Sequence, residues 1–143
     1  MKPSESASYR LRLAQGFLDE ARQDASTGRW RSCVDNAQLA AEHALKAVVA
    51  LWGPVSKTHR PAAKLMEMLD QRQIPQEFRA EVDRLVDAAE FLGPEIHVRT
   101  DYGDEAGGLT PWEIFKQGDA RDALDVAENV VHLATQIVRR VTS

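Results

Sequence analysis

Hydrophobic residues recur along most of this chain at steps of three and four positions, the spacing that places them on one face of an α-helix. Five segments carry this pattern, and they cover about residues 6–27, 30–52, 61–69, 75–92 and 120–141. Glycine or proline, both of which end helices, separates successive segments at Gly28, Gly53-Pro54, Pro75 and Gly93-Pro94. No stretch alternates hydrophobic and polar residues as a half-buried strand would. The pattern predicts an all-α protein.

The second segment is the most apolar of the five. Its hydrophobic residues form two rows, which are Trp30, Val34, Ala37, Ala41, Ala44, Val48 and Leu51, and Cys33, Ala40, Ala47 and Trp52. Because these rows leave only a narrow polar strip, we expect this helix at the centre of the core. Long helices joined by short connections favour an antiparallel up-and-down bundle. We therefore predict one domain, residues 1–143, with four long helices and one short helix.

Residues 94–117 interrupt the helical pattern and are expected to form a long loop. The stretch PEIHVRTDYGD within it gathers a histidine, an arginine, a carboxylate and a phenol, at His97, Arg99, Asp101 and Tyr102. A guanidinium can bind a phosphate through two parallel hydrogen bonds, and an aromatic ring can stack on a base. The stretch is therefore a candidate anion-binding site. In the structural alternative, Arg99 is buried in a salt bridge with Asp101 or Glu42 and fixes the loop.

Composition narrows the function classes. The net charge of −4 gives no general attraction for nucleic acid, so any such contact needs a local basic patch. The single cysteine, Cys33, excludes an internal disulfide and lies in a hydrophobic row, where we expect a buried thiol. No segment has the apolar length of a signal peptide or a membrane span. These features predict a cytoplasmic protein with no membrane partner.

Common cofactor and metal motifs are missing from the sequence. Neither GxGxxG nor GxxxxGK[ST] occurs, which argues against a phosphate-binding loop. The four histidines share no metal-binding spacing, and Cys33 stands alone. No nucleophile elbow is present either. We expect no cofactor and no metal.

Two charged residues stand in the apolar second segment. Glu42 and Lys46 are four positions apart, so they can pair along one helix face. They are either a structural ion pair or a pair that faces a groove or a subunit interface. His43 beside them is compatible with a solvent-facing position.

Several motifs together resemble one protein family. They are Gly28-Arg-Trp30, the run AQLAAEHALKA over residues 37–47, Lys57-Thr-His59, and the arginine and tyrosine before the last helix. From about residue 8 to 141, the chain resembles the HEPN domain (higher eukaryotes and prokaryotes nucleotide-binding domain). The resemblance implies a helical bundle, commonly a homodimer, that binds nucleotide or RNA. Many members act with small nucleotidyltransferases as toxin–antitoxin pairs.

Some HEPN proteins are metal-independent ribonucleases, and these share an arginine followed four to six positions later by a histidine. Arg99 falls where that arginine is expected, but no histidine follows it at this spacing. Arginine cannot exchange its proton near neutral pH, so cleavage would need another acid or base. We therefore assign no catalytic residue and favour the absence of enzymatic activity. The candidate ligand-binding residues are Arg99, His97, Tyr102, Asp101, Glu42, Lys46 and His59.

We interpret the chain as a HEPN-type binding module for a nucleotide or RNA ligand, or for a nucleotidyltransferase-type partner. One alternative is a ribonuclease toxin that uses a displaced histidine, such as His97. The second alternative is a structural or adaptor bundle. A homodimer is expected, because the second and last helices carry more apolar positions than one four-helix core covers.

Overall fold

The computed structural model describes all 143 residues, which form seven α-helices and one 3-10 turn. The helices are α1 (Pro3–Ser26), α2 (Trp30–Trp52), α3 (Pro61–Asp70), α4 (Gln76–Ala89), α5 (Pro94–Tyr102), α6 (Pro111–Ile114) and α7 (Gln117–Thr142), with the 3-10 turn at Glu90–Leu92. The predicted all-α class is confirmed. The four long helices α1, α2, α4 and α7 form the bundle, and α3 is the short helix of the prediction.

The α2 helix is the centre of the core. It packs against α1 and α7 along its length and also contacts α3 and α5. Fourteen of its residues are buried, most of them alanine and valine. Small side chains allow neighbouring helices to approach closely, so the alanine-rich pattern accounts for this central position. Cys33 is buried here as predicted, and burial raises the pKa of its thiol to about 11.

The stretch predicted as a loop from 94 to 117 is largely ordered into two short helices, which corrects the sequence expectation. Gly93, in an extended conformation, precedes Pro94 at the start of α5, and proline is favoured at the first helical position. Gly103 ends α5 with φ of +71°, a backbone conformation that other residues rarely adopt. Only Thr100 of this helix is fully buried. The hydrophobic pattern of α5 is therefore weak, and the sequence did not predict this helix.

A tight turn connects α5 to α6. The backbone N–H of Asp104 donates to the carbonyl of Leu109 at 2.8 Å, and that of Leu109 donates back to Asp104 at 2.9 Å. The side chain of Thr110 then caps α6 by accepting a hydrogen bond from the backbone of Glu113. The turn brings Pro111 against Gly103, which places α6 beside the end of α5.

Replacing Ala44 with phenylalanine is expected to lower the free energy of unfolding by about 1–3 kcal/mol. Ala44 is fully buried on α2, so a larger side chain would force neighbouring helices apart. Chemical denaturation of this variant and of Glu67→Ala, a change at an exposed position of α3, measures the difference. A larger loss for Glu67→Ala than for Ala44→Phe would contradict the assigned packing of α2.

Candidate functional site

A row of buried polar side chains follows one face of α2. Gln38, Glu42 and Lys46 are each at most 6% exposed. The carboxylate of Glu42 lies 3.5 Å from the Lys46 ammonium and accepts a hydrogen bond of 3.4 Å from the Gln38 amide. The predicted pairing of Glu42 with Lys46 is therefore present, and it lies inside the protein rather than on its surface.

His59 connects this polar row to α5. Its Nδ1 atom lies 3.0 Å from the Glu42 carboxylate, although the two residues come from different elements. The ring of His59 stacks on the ring of His97, with centroids 4.6 Å apart. On α5, the Nε2 atom of His97 lies 3.8 Å from the Asp101 carboxylate. Five of the seven candidate residues, namely Glu42, Lys46, His59, His97 and Asp101, therefore form one connected cluster.

Arg99 and Tyr102 lie apart from this cluster. Both are exposed, Tyr102 at 65%, and Arg99 makes neither an ion pair nor a side-chain hydrogen bond. Residues two positions apart on a helix point about 200° from one another, so Arg99 and His97 face different sides of α5. The alternative in which Arg99 is buried in a salt bridge with Asp101 or Glu42 is wrong. Thr100 is the residue of α5 that anchors the helix instead.

Thr100 holds α5 against α2. Its hydroxyl oxygen lies 2.8 Å from the carbonyl oxygen of His97 and 3.2 Å from the Asp35 carboxylate, and the two acceptors share its single hydrogen. The carbonyl of Thr100 accepts a hydrogen bond of 2.8 Å from the Arg31 guanidinium. These contacts fix the helix from behind, so Arg99 and Tyr102 extend from a rigid support. Sequence reasoning missed Arg31, Asp35 and Thr100 because the contacts join positions more than sixty residues apart.

A groove opens beside the cluster, between α3 and the region that joins α4 to α5. It has a volume of about 240 Å³. Its lining combines Leu45, Met66 and Leu92 with the polar residues Glu42 and His59. The groove gives solvent access to a polar row that is otherwise buried.

His43 lies on another side of α2 from this cluster and is only half-buried, not simply solvent-facing as expected. Its ring stacks on Phe17, with centroids 5.3 Å apart and planes within 4°. Burial lowers the pKa of the imidazole from its ordinary value of 6.5. The positive charges of Lys46 and Arg10 lower the pKa further, and Glu42 opposes them. His43 therefore packs as a neutral ring.

Acidification below pH 6.5 is expected to destabilise the protein through His43. In the unfolded chain the imidazole regains its ordinary pKa, so the unfolded state takes up a proton before the folded state does. The free energy of unfolding therefore falls as the pH drops through this range. Urea unfolding of the wild type and of His43→Phe, above and below pH 6.5, should show a smaller loss in the variant. An equal loss in both proteins would contradict the role of His43.

The chain is thus an all-α bundle with a buried polar row on its central helix and a short helix that displays an arginine and a tyrosine. The chain matches the family described as the HEPN domain over residues 7–138. It belongs to the HEPN family, as the sequence motifs indicated.

Comparison with solved structures shows the same fold. The crystal structure of TT1696 from Thermus thermophilus superimposes with a TM-score of 0.72 at 24% sequence identity, covering 96% of this chain and 99% of that chain. No protein with a curated description matches the chain. No helix is long and apolar enough to cross a membrane.

Proposed function

We propose that this HEPN-family protein binds single-stranded RNA on the outer face of α5 and does not cleave it. The observation that carries the proposal is the exposed guanidinium of Arg99, which has no partner within the protein and stands one helical turn from the exposed Tyr102. Arginine that lacks an internal partner on a rigid helix is available for an external anion. A phosphate is the anion that its planar donor geometry suits.

The outer face of α5 combines charge with stacking surface. Glu95, Val98, Arg99 and Tyr102 follow steps of three and four, so they share one side of the helix. The carboxylate of Glu95 lies against Gly93 at the start of α5, so it does not pair with Arg99. Val98 is 53% exposed and Tyr102 is 65% exposed. RNA single strands are recognised by aromatic rings that stack on unpaired bases, together with cations on the phosphates. Arg99 and Tyr102 supply one group of each kind.

Two carboxylates, Asp101 and Asp104, follow Arg99 in the sequence. Asp101 points about 200° from Arg99 on the helix, and it lies beside His97. Asp104 accepts a hydrogen bond of 2.9 Å from the backbone of Gly107, within the turn. Both carboxylates are therefore engaged by protein groups rather than directed at a phosphate held by Arg99.

The proposal is tested by incubating the protein with a labelled single-stranded RNA. Fluorescence anisotropy should show saturable binding, and a denaturing gel should show that the RNA stays intact. Absence of binding together with a stable fold would contradict the proposal and favour the adaptor alternative. The nucleotidyltransferase-type partner implied by the family stays a prediction, which co-purification with such a protein would test.

A ribonuclease is the second candidate, because two histidine rings meet in the cluster. His59 contacts Glu42 and His97 lies beside Asp101, so each imidazole has a carboxylate that could orient it. A pair of imidazoles can supply both a general acid and a general base. Robust cleavage by the wild type that falls about 10²–10⁴-fold in His97→Ala would establish this candidate over simple binding.

We also propose a homodimer, but on a different surface from the one first expected. The apolar positions of α2 and α7 are covered within one chain, so their number no longer supports a dimer. Two exposed apolar side chains, Phe91 before α5 and Val98 on it, are 52% and 53% exposed and offer an alternative interface. A two-fold interface that covers these two residues and leaves Arg99 and Tyr102 at its rim would bring two Arg99 side chains to one surface.

Sedimentation at micromolar concentration is expected to give about twice the chain mass of 15.9 kDa. Replacing Phe91 and Val98 together with serine should shift the protein to the monomer, because it removes the apolar contact. Tyr9, an exposed aromatic residue on α1 rather than on α5, provides the control as Tyr9→Ser. A wild-type monomer would exclude the dimer.

A further inference from the structure

Trp112 is the most exposed of the three tryptophans. It lies in α6 and is 70% exposed, whereas Pro111 before it and Phe115 after it are buried. The flanking residues therefore anchor the backbone while the indole remains in solvent. Large aromatic rings held rigidly at the surface are unusual unless a ligand or partner covers them.

Arg31 lies across the ring of Trp112. Its guanidinium is 5.7 Å from the ring centroid, within the range of a cation–π contact. The same guanidinium donates to the Thr100 carbonyl at 2.8 Å and lies 3.7 Å from the Asp35 carboxylate. Arg31 is thus held in place by α5 and α2, and it orients the indole of Trp112.

These residues border a cavity of about 510 Å³ at the start of α2. Its lining consists of Gly28, Arg29, Trp30, Arg31, Ser32, Trp112 and Phe115, and it contains no carboxylate. Arg29 is exposed and makes no ion pair or side-chain hydrogen bond. We refer to Arg29, Trp30, Arg31 and Trp112 as the tryptophan corner.

We propose that the tryptophan corner is a second contact for single-stranded RNA, in which a base stacks on Trp112 and Arg29 binds a neighbouring phosphate. The proposal rests on the proposed RNA binding at α5 and extends it to a longer strand. One unpaired cation, Arg29, beside an open indole matches the charge and the flat faces of an RNA strand.

The corner is continuous with the outer face of α5. Arg31 bonds to the carbonyl of Thr100, the residue after Arg99, and Gly103 packs against Pro111, the residue before Trp112. The corner therefore adjoins the C-terminal end of α5, toward which a strand leaving Arg99 and Tyr102 can run. This adjacency predicts that a longer RNA binds more tightly than a mononucleotide.

Binding of a labelled oligouridylate of about ten nucleotides tests the corner. Trp112→Ala is expected to weaken this RNA about tenfold, the value of one lost stacking contact. Uridine monophosphate, which α5 alone can hold, should bind equally to the wild type and to Trp112→Ala. Tyr9→Ala removes an exposed aromatic ring elsewhere and should change neither affinity.

Tryptophan fluorescence provides a second readout at the same residue. The oligouridylate should quench the emission of the wild type, and the quenching should be weaker in Trp112→Phe because Trp112 is the most exposed tryptophan. Trp30, which also lines the cavity but is partly buried, accounts for the quenching that remains. Unchanged RNA affinity in both Trp112→Ala and Arg29→Ala, together with weakened binding in Arg99→Ala, would contradict RNA binding at the tryptophan corner and leave the α5 site supported. If Trp112→Ala loses the dimer but keeps its RNA affinity, the tryptophan corner is a protein interface and not an RNA contact. Absence of RNA binding by the wild type would overturn both proposals.

Discussion

Replacing Glu42 with alanine is expected to lower the free energy of unfolding by about 3–5 kcal/mol. The side chains of Glu42 and Lys46 are only 3% and 8% exposed, and their charged groups lie 3.5 Å apart. Removal of the carboxylate leaves the Lys46 ammonium buried without its partner. It also removes the acceptor of the hydrogen bonds that reach Glu42 from Gln38 and His59. Denaturant unfolding measures the effect directly.

A double replacement separates the lost ion pair from lost packing. Glu42→Met with Lys46→Met removes both charges and keeps the volume, so it should recover much of the stability that either single change loses. Glu67→Ala, at an exposed carboxylate of α3, should cost far less than Glu42→Ala. A Glu42→Ala protein as stable as Glu67→Ala would mean that the α2 polar row is solvated rather than buried.

Replacing Arg99 with alanine is expected to weaken RNA binding by about 10- to 100-fold. A charge-assisted hydrogen bond to a phosphate accounts for a loss of this size. Because Arg99 has no partner within the protein, the melting temperature should stay nearly unchanged. Anisotropy titrations and thermal melts of the two proteins measure both quantities.

Arg121→Ala is the matched control for this prediction. Arg121 is an exposed arginine on α7 that likewise makes no ion pair, so its loss changes the net charge equally. RNA affinity should fall only slightly in this variant. An equal loss in both variants would mean that Arg99 acts through overall charge, and a large fall in melting temperature for Arg99→Ala would indicate a structural role.

The sequence predicted the long helices because their hydrophobic pattern is strong. The repeats of α2 and α7 extend over many turns, and the core assignments of Ala44 and Cys33 follow directly from them. Helix α5 escaped prediction because it buries little, and its ends are defined by Gly93, Pro94 and Gly103 rather than by a hydrophobic face. A short helix whose inner contact is one threonine leaves almost no periodic signal.

The sequence identified the residues of the candidate site, but it did not show which of them lie together. Chemistry alone suggested that Arg99 and His97 act together, whereas the helical conformation places them on different sides. The contact of His59 with Glu42 and the stack of His59 on His97 join distant segments of the chain. The contact of Arg31 with Trp112 does the same. Only tertiary packing brings such pairs together, so spacing along the sequence could not reveal them.

The salt dependence of RNA binding tests most directly whether Arg99 contacts a phosphate. Each phosphate contact releases counterions, so the logarithm of the binding constant falls linearly with the logarithm of the salt concentration. Arg99→Ala should reduce that slope by about 0.7, the value for one contact on a single strand, whereas Arg121→Ala should leave it unchanged. An identical slope in the wild type and in Arg99→Ala would contradict RNA binding through this arginine.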